Sequence, residues 1–305
     1  MMEEVEAAMK KKRLKPTGNM DSKPAYFDNI HTKRKLLSLV NFILLAAGSL
    51  LILSPIWWMI STSLKSMAEV MTYPPTFYPH EWNWDNYIKT WNAAPFDTYA
   101  INTITITILV VIGNVLVNSF IAYGFAKVPF KGRNILFAIV LSTMMIPGFV
   151  TLIPQYVLFS KLQWINTYYP LVVPAFFGSA FFIFLLRQFY MTIPNELIEA
   201  AKMEGASHFR IWWKIGLPLT KPALATVAIF SFNGAWNDFL GPLLYLNDES
   251  LYTLQLGLQV FKGQMNTQWN YLMAGSLLVL LPVIILFFFF QKYFIQGINL
   301  QSGGK

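Results

Sequence analysis

The 305-residue sequence contains no cysteine and only three histidines, His31, His80 and His208. That excludes disulfides, cysteine-bound zinc, iron–sulfur clusters and a thiol nucleophile, and leaves little for metal or acid–base chemistry. Charge is scarce as well: 12% of residues are charged and 55% are hydrophobic, where an average soluble domain carries about 25% charged residues. An ordinary soluble enzyme is thereby excluded. No GxxxxGK[ST] phosphate loop occurs, so any ATP hydrolysis must come from a partner. His80-Glu81 is no zinc motif, because Trp84 stands where HExxH needs its second histidine. The first 35 residues carry basic runs and no apolar core, so a cleavable signal peptide is not expected.

What is present is a series of long apolar runs. About 20 helical residues cross a hydrocarbon core of roughly 30 Å, and six runs qualify, near 36–62, 99–126, 134–158, 171–190, 222–246 and 271–294. The chain is expected to be an all-α polytopic membrane protein. The second run begins with the threonine-rich Asn102-Thr103-Ile104-Thr105-Ile106-Thr107, which still spans best as helix because lipid leaves no backbone group unpaired. Pro147, Gly148 and Pro154 predict a kink in the third. The formal charge of +8 is explained by orientation rather than nucleic acid: 19 of the 23 Lys and Arg fall on the side of the N-terminal tail. By the positive-inside rule both termini are cytoplasmic. Trp82, Trp84, Trp91, Trp164 and Trp269 then lie on the outer side, where an interfacial aromatic belt or sugar stacking would use them.

The most informative stretch, residues 194–222, is a charged insert between the fourth and fifth runs, PNELIEAAKMEGASHFRIWWKIGLPLTKP. Its pattern predicts two short helices joined by an elbow. Pro194 suits a first helical turn, Gly205 a left-handed terminator, Ser207 the next N-cap, and Pro218 with Pro222 the close. Leu197, Ala200 and Ala201 share a face at spacings of three and four, and Phe209, Trp212 and Trp213 repeat that spacing with rings. Such rings must pack on the bundle, lie at the interface or enter a partner's cleft.

Glu199-Ala200-Ala201, then Gly205-Ala206, then Leu217-Pro218-Leu219 and Pro222, resembles the EAA loop of ABC-importer permease subunits. The resemblance implies a type I ABC importer permease fold with a cytoplasmic coupling-helix loop, here 191–221, that docks into a groove on the ATPase. It makes Glu199 a polar anchor, Gly205 the elbow and Phe209 with its neighbours a packed wedge, with Ala200, Ala201, Ala206, Ser207, Leu217 and Pro218 completing the coupling set.

In the fifth run, Phe232-Asn233-Gly234-Ala235-Trp236-Asn237-Asp238-Phe239 sets polar groups in apolar sequence. At 1.5 Å per residue Asp238 is expected about 24 Å along the helix from Pro222. Asn233, Trp236, Asn237 and Asp238 are candidate pathway residues; the alternative is that the two asparagines are interhelical glue and Asp238 seeks water at the outer end.

The same stretch resembles the carbohydrate branch of these permeases, especially the maltose-type second subunit, over roughly residues 35–300. This implies a multi-pass protein of a bacterial or archaeal cytoplasmic membrane that imports a sugar, oligosaccharide or polyol. The implied partners are a paralogous permease, two cytoplasmic ATPase subunits with their ATP and Mg, an extracytoplasmic solute-binding protein and membrane lipid. No cofactor, metal or nucleic acid is expected on this chain. Residues 1–34 form a basic arm, 35–297 the permease domain and 298–305 a Gly-containing tail; the outer segment 247–268 matches in position a loop that the maltose-type subunit sends into its binding protein. The rivals are an ion- or proton-coupled secondary transporter, which leaves the charged insert unexplained, and an intramembrane enzyme, for which no catalytic pairing stands at an interpretable spacing.

Overall fold

The computed structural model describes residues 25–263 and 266–302, with residues 25–36 and 292–302 described by backbone alone. Among these residues everything regular is helical apart from one isolated bridge, Lys262 to Thr267. Four helices are long and apolar enough to cross a membrane, Leu37–Ser63, Phe96–Lys127, Tyr169–Met191 and Trp269–Gln291, and the number rises to six if each of two bent pairs is one span. The chain is a multi-pass membrane protein.

The described residues up to 57 and those from 58 onward form separate compact units. In the first, helix α1 (Ala25–Ser63) starts well before the expected span, so part of the basic arm 1–34 is helical; residues 1–24 lie outside the described set. The charged first turns need only water beyond the hydrocarbon edge, where a helix satisfies its backbone equally well.

The second unit is built round α3 (Phe96–Lys127), preceded by the short α2 (Asp85–Asn92). The threonine-rich start of α3 is helical, and two of its hydroxyls turn back one turn: Thr103 donates to the Tyr99 carbonyl at 2.7 Å and Thr105 to that of Ile101 at 2.8 Å. The third run is no gently kinked helix. It is two, α4 (Arg133–Ser142) and α5 (Gly148–Lys161), and the pair bends by 97°. Pro147, which lacks an N–H and holds an extended ψ of 133°, starts the second of them.

Next come the short helical turns Tyr169–Val172 and Val173–Phe176 and then α6 (Ala180–Met191), followed by α7 (Asn195–Met203), α8 (His208–Leu219), α9 (Lys221–Trp236), α10 (Leu240–Tyr245) and the long α11 (Trp269–Ser302). Helix α3 packs against both α6 and α9, and α11 against α2 and α9. Two cores result. One gathers Tyr123, Leu186, Tyr190, Ile198, Ile211, Trp212 and Val227; the other gathers Phe96, Tyr99, Trp236, Leu258, Phe261 and Leu272.

The outer segment 247–268 is partly packed into the bundle. Leu254, Leu258 and Phe261 are buried in the second core, and Asn102 donates to the carbonyls of Ser250 (2.9 Å) and Tyr252 (3.0 Å). Alternate leucines facing one core explain that, and Gln264 and Met265 lie outside the described residues. Helix α11 continues through Gly297 to Ser302, so the expected tail 298–305 is helical that far and its last three residues lie outside the described set.

A polar latch ties the turn after α5 to the end of α10. Asn166 has a φ of 62° and donates through Nδ2 to Asp248 Oδ2 at 2.6 Å, while its Oδ1 accepts from the backbone N–H groups of Asn247 and Asp248, each at 3.0 Å. Asn166→Ala should lower stability by about 1–2 kcal/mol, since it removes three exposed hydrogen bonds and strains a left-handed backbone. Thermal unfolding in detergent checks this. Asn166→Gly, which relieves the backbone and lacks the bonds, should fall between the two.

Candidate functional site

The charged insert folds as its residue types require. Asn195 follows Pro194 as the first residue of α7, so Pro194 is the N-cap rather than a residue of the first turn. The helix ends at Gly205, whose φ of 79° is the left-handed conformation that a side chain resists. Ser207 then accepts the Arg210 N–H at 3.3 Å and opens α8.

Helix α8 passes through a π-turn, Trp212–Gly216, before Leu217–Leu219. Pro218 does not close the insert. It sits inside the continuing helix, and the wider π-turn relieves the clash of its ring with the carbonyl four residues back. Helices α8 and α9 meet at 82°, with Thr220 at the corner donating to the Gly216 carbonyl at 2.9 Å.

One face of this insert is pinned to the bundle. Trp212 is 4% exposed, and its indole N–H donates to Ser119 Oγ on α3 at 3.0 Å. Ser119 shares a 2.6 Å hydrogen bond with the Tyr190 hydroxyl of α6. Tyr123 lies edge-on to Tyr190, and its hydroxyl lies 3.3 Å from His208 Nδ1. Burial and then the Lys202 charge hold the His208 imidazole below its usual pKa, favouring the neutral ring that this contact can use. Ile198, Ala201 and Ile211 complete the inward face.

The other face is open. Glu199, Ala200, Leu197, Met203, Phe209 and Trp213 are exposed, Phe209 at 59% and Trp213 at 49%. The buried wedge is therefore Trp212, not Phe209, whose exposed ring lies edge-on to Phe120 and tilted against Trp212. Likewise Ala201 faces inward while Leu197 and Ala200 face out. The run Leu197-Ile198 offers two apolar residues 100° apart on a helix, and only contact with Tyr123, Tyr190 and their neighbours selects Ile198. Ala206 and Leu217 are partly buried against the same core. Ser119 and Tyr190 escaped the sequence reading; the signal was a serine and a tyrosine inside apolar runs.

The four candidate pathway residues separate. Helix α9 ends at Trp236, so Asp238 lies in the break before α10 rather than in a continuous span. Glycine and asparagine at the end of the run break the helix early. Trp236 is buried, stacks on Phe232 and donates its indole N–H to the Val279 carbonyl of α11 at 3.0 Å, which makes it a helix tie and removes it from the pathway set. Asn237 donates to Asn233 Oδ1 at 2.5 Å on the exposed side and accepts from Gln255 Nε2 at 3.2 Å. Asp238 accepts from the Gly241 N–H at 3.1 Å and lines a cavity of about 280 Å³. Among the described residues no cluster of His, Asp or Glu could hold a metal ion.

Residues 115–300 match the family described as binding-protein-dependent transport system inner membrane component. The chain is 36% identical over 248 residues to the arabinooligosaccharides transport system permease protein AraQ of Halalkalibacterium halodurans, covering 80% of this chain and 88% of that one. It is 32% identical over 273 residues to the sn-glycerol-3-phosphate transport system permease protein UgpE of Yersinia enterocolitica, covering 87% and 97%. In structure it resembles a chain of a bacterial ABC transporter involved in the import of the acidic polysaccharide alginate, with a TM-score of 0.76, 27% identity, and 86% and 98% coverage.

Proposed function

Because this chain belongs to the family of binding-protein-dependent transport system inner membrane components, we propose that it forms half of the pathway of an ATP-driven carbohydrate importer and couples to a cytoplasmic ATPase through residues 191–221. The observation that carries this reading is the two-faced insert. Its inner face is fastened to α3 and α6 by Trp212, Ser119 and Tyr190, and its outer face presents Glu199, Phe209 and Trp213. A partner that grips the outer face moves the membrane helices with it.

Gly205 sets the angle between the two coupling helices, with Ala206, Ser207, Leu217 and Pro218 holding the second in place. The side of the tail, which carries 19 of the 23 Lys and Arg, is the cytoplasmic side, and both termini lie there. ATP and Mg belong to the two ATPase subunits, and this chain needs no cofactor of its own. A carbohydrate substrate is supported by the arabinooligosaccharide relative and the alginate neighbour. A paralogous permease as the other half and a solute-binding protein outside complete the assembly. The ion-coupled alternative draws no support from these relatives.

Native mass spectrometry of the tagged chain, gently extracted from its host, tests the assembly. A complex with a second permease of similar size and two copies of an ATPase is expected. Recovery alone or as a bare homodimer under several detergents would overturn the reading.

A further inference from the structure

The charged insert is fastened to α3 at a second place. Lys127, the last residue of α3, is partly buried, and its ammonium donates to the Ile193 carbonyl at 2.5 Å and to Asn195 Oδ1 at 2.8 Å. Those two acceptors stand on either side of Pro194, the N-cap of α7. The backbone N–H groups of Thr192 and Ile193 bond back to the carbonyls of Phe189 and Tyr190 on α6, so the chain turns away from α6 at Pro194, where ψ is 138°. Among the described residues no side chain of another element besides Lys127 hydrogen-bonds to this corner.

What these bonds do follows from how the rest of α7 is held. Its inward face packs through Ile198 and Ala201, and apolar burial is non-directional, so it opposes separation more than rotation. Its far end is Gly205, where the backbone is left-handed and a glycine moves freely. Helix α8 has the directional bond from Trp212 to Ser119; α7 has none on its inward face. A force applied to the outer face of α7, at Glu199, would swing that helix about Gly205 unless its near end is fixed. Lys127 fixes it. Hydrogen bonds from a charged donor are the stronger kind, and two acceptors that bracket one residue define a direction. Glu196, in the first turn of α7, adds a longer-range attraction to the same ammonium. Ser119 and Lys127 lie about 12 Å apart along α3, so one unbroken helix holds both parts of the insert.

Resting on the permease reading above, we propose that Lys127 is a positioning residue for coupling: by holding Ile193 and Asn195 on either side of Pro194 it fixes the angle at which α7 leaves the bundle. A partner's pull on α7 is then delivered to α3 and α6 rather than lost as rotation about Gly205.

The test measures that angle in the assembled complex, with its ATPase bound. The chain has no cysteine, so two introduced ones carry spin labels without background. Glu204→Cys marks the exposed far end of α7, about 140° round the helix from Glu199. Ile108→Cys marks the exposed flank of α3, about 28 Å along it from Lys127. The parent should give a narrow distance distribution that keeps its mean when ATP and vanadate hold the ATPase closed, because α7 and α3 move as one body. Lys127→Met, which keeps the stem and loses the ammonium, should broaden the distribution and shift its mean by several ångströms on closure. The ATPase should still co-purify with it, since Glu199, Phe209 and Trp213 are untouched. Lys127→Arg should restore the narrow, fixed distance, and Asn195→Ala, which removes one acceptor of the two, should broaden it less than Lys127→Met. A purely structural role would lower the melting temperature and leave the distance unmoved on closure. An unchanged distribution in Lys127→Met, or in Asn195→Ala should Lys127→Met not assemble, overturns the positioning role and leaves the permease reading intact. Failure of any ATPase to co-purify with the parent overturns both.

Discussion

Glu199→Lys is expected to cut ATP-driven uptake by about a hundredfold, the scale of ~3 kcal/mol for reversing a charge that a partner desolvates, while the chain stays folded. Glu199 is exposed and, among the described residues, has no hydrogen-bond or ion-pair partner, so nothing inside the chain depends on it. Gly205→Asp should act in the same direction for a different reason. A Cβ at Gly205 would meet no atom within 4 Å, which leaves only the strain of a φ of 79°, about 1–2 kcal/mol. That is enough to reset the elbow without unfolding the bundle. Uptake in vesicles, ATPase recovery on the tagged chain and thermal unfolding separate the two effects. Undiminished uptake in both variants would sink the coupling role of the loop.

Trp212→Ala should cost the chain itself ~3–5 kcal/mol. The side chain is nearly fully buried, packs edge-on to Phe120 with centroids 5.1 Å apart, and supplies the donor that joins Ser119 and Tyr190 in one polar cluster. Removing it leaves a void and takes from Ser119 one of its two hydrogen bonds, the one to Tyr190 remaining. Trp212→Phe keeps most of the volume and should lose roughly 1–2 kcal/mol. The contrast is Trp213→Ala, one residue along: half of that side chain is exposed, so its melting temperature should hardly move, whereas ATPase recovery should fall. A Trp212→Ala chain that melts with the wild type would show that the insert is not fastened to the bundle.

Between them these variants separate the two surfaces of one short segment. The inner surface transmits and the outer one receives. Transmission needs rigidity, and the fastening of α8 to α3 through Trp212 supplies it by excluding water from a hydrogen-bonded cluster.

The sequence by itself determined the class of protein and the outline of its insert. Apolar run length marks the segments that can cross a membrane, because lipid tolerates no unpaired backbone, and local backbone preference makes Gly205 an elbow and Ser207 a cap. Both are properties of a residue and its immediate neighbours. Only the tertiary structure decided which side of the insert faces in. Ile198 and Leu197 are interchangeable by pattern, as are Trp212 and Phe209, until α3 and α6 present Tyr123, Tyr190 and Ser119 to one and not the other. The same holds for the polar stretch at the end of α9. Trp236 and Asp238 are two residues apart, yet the break after Trp236 sends the indole to Val279 and the carboxylate to a cavity. The termination of a helix depends on what its freed groups can bond to, and those partners come from elements distant in the chain.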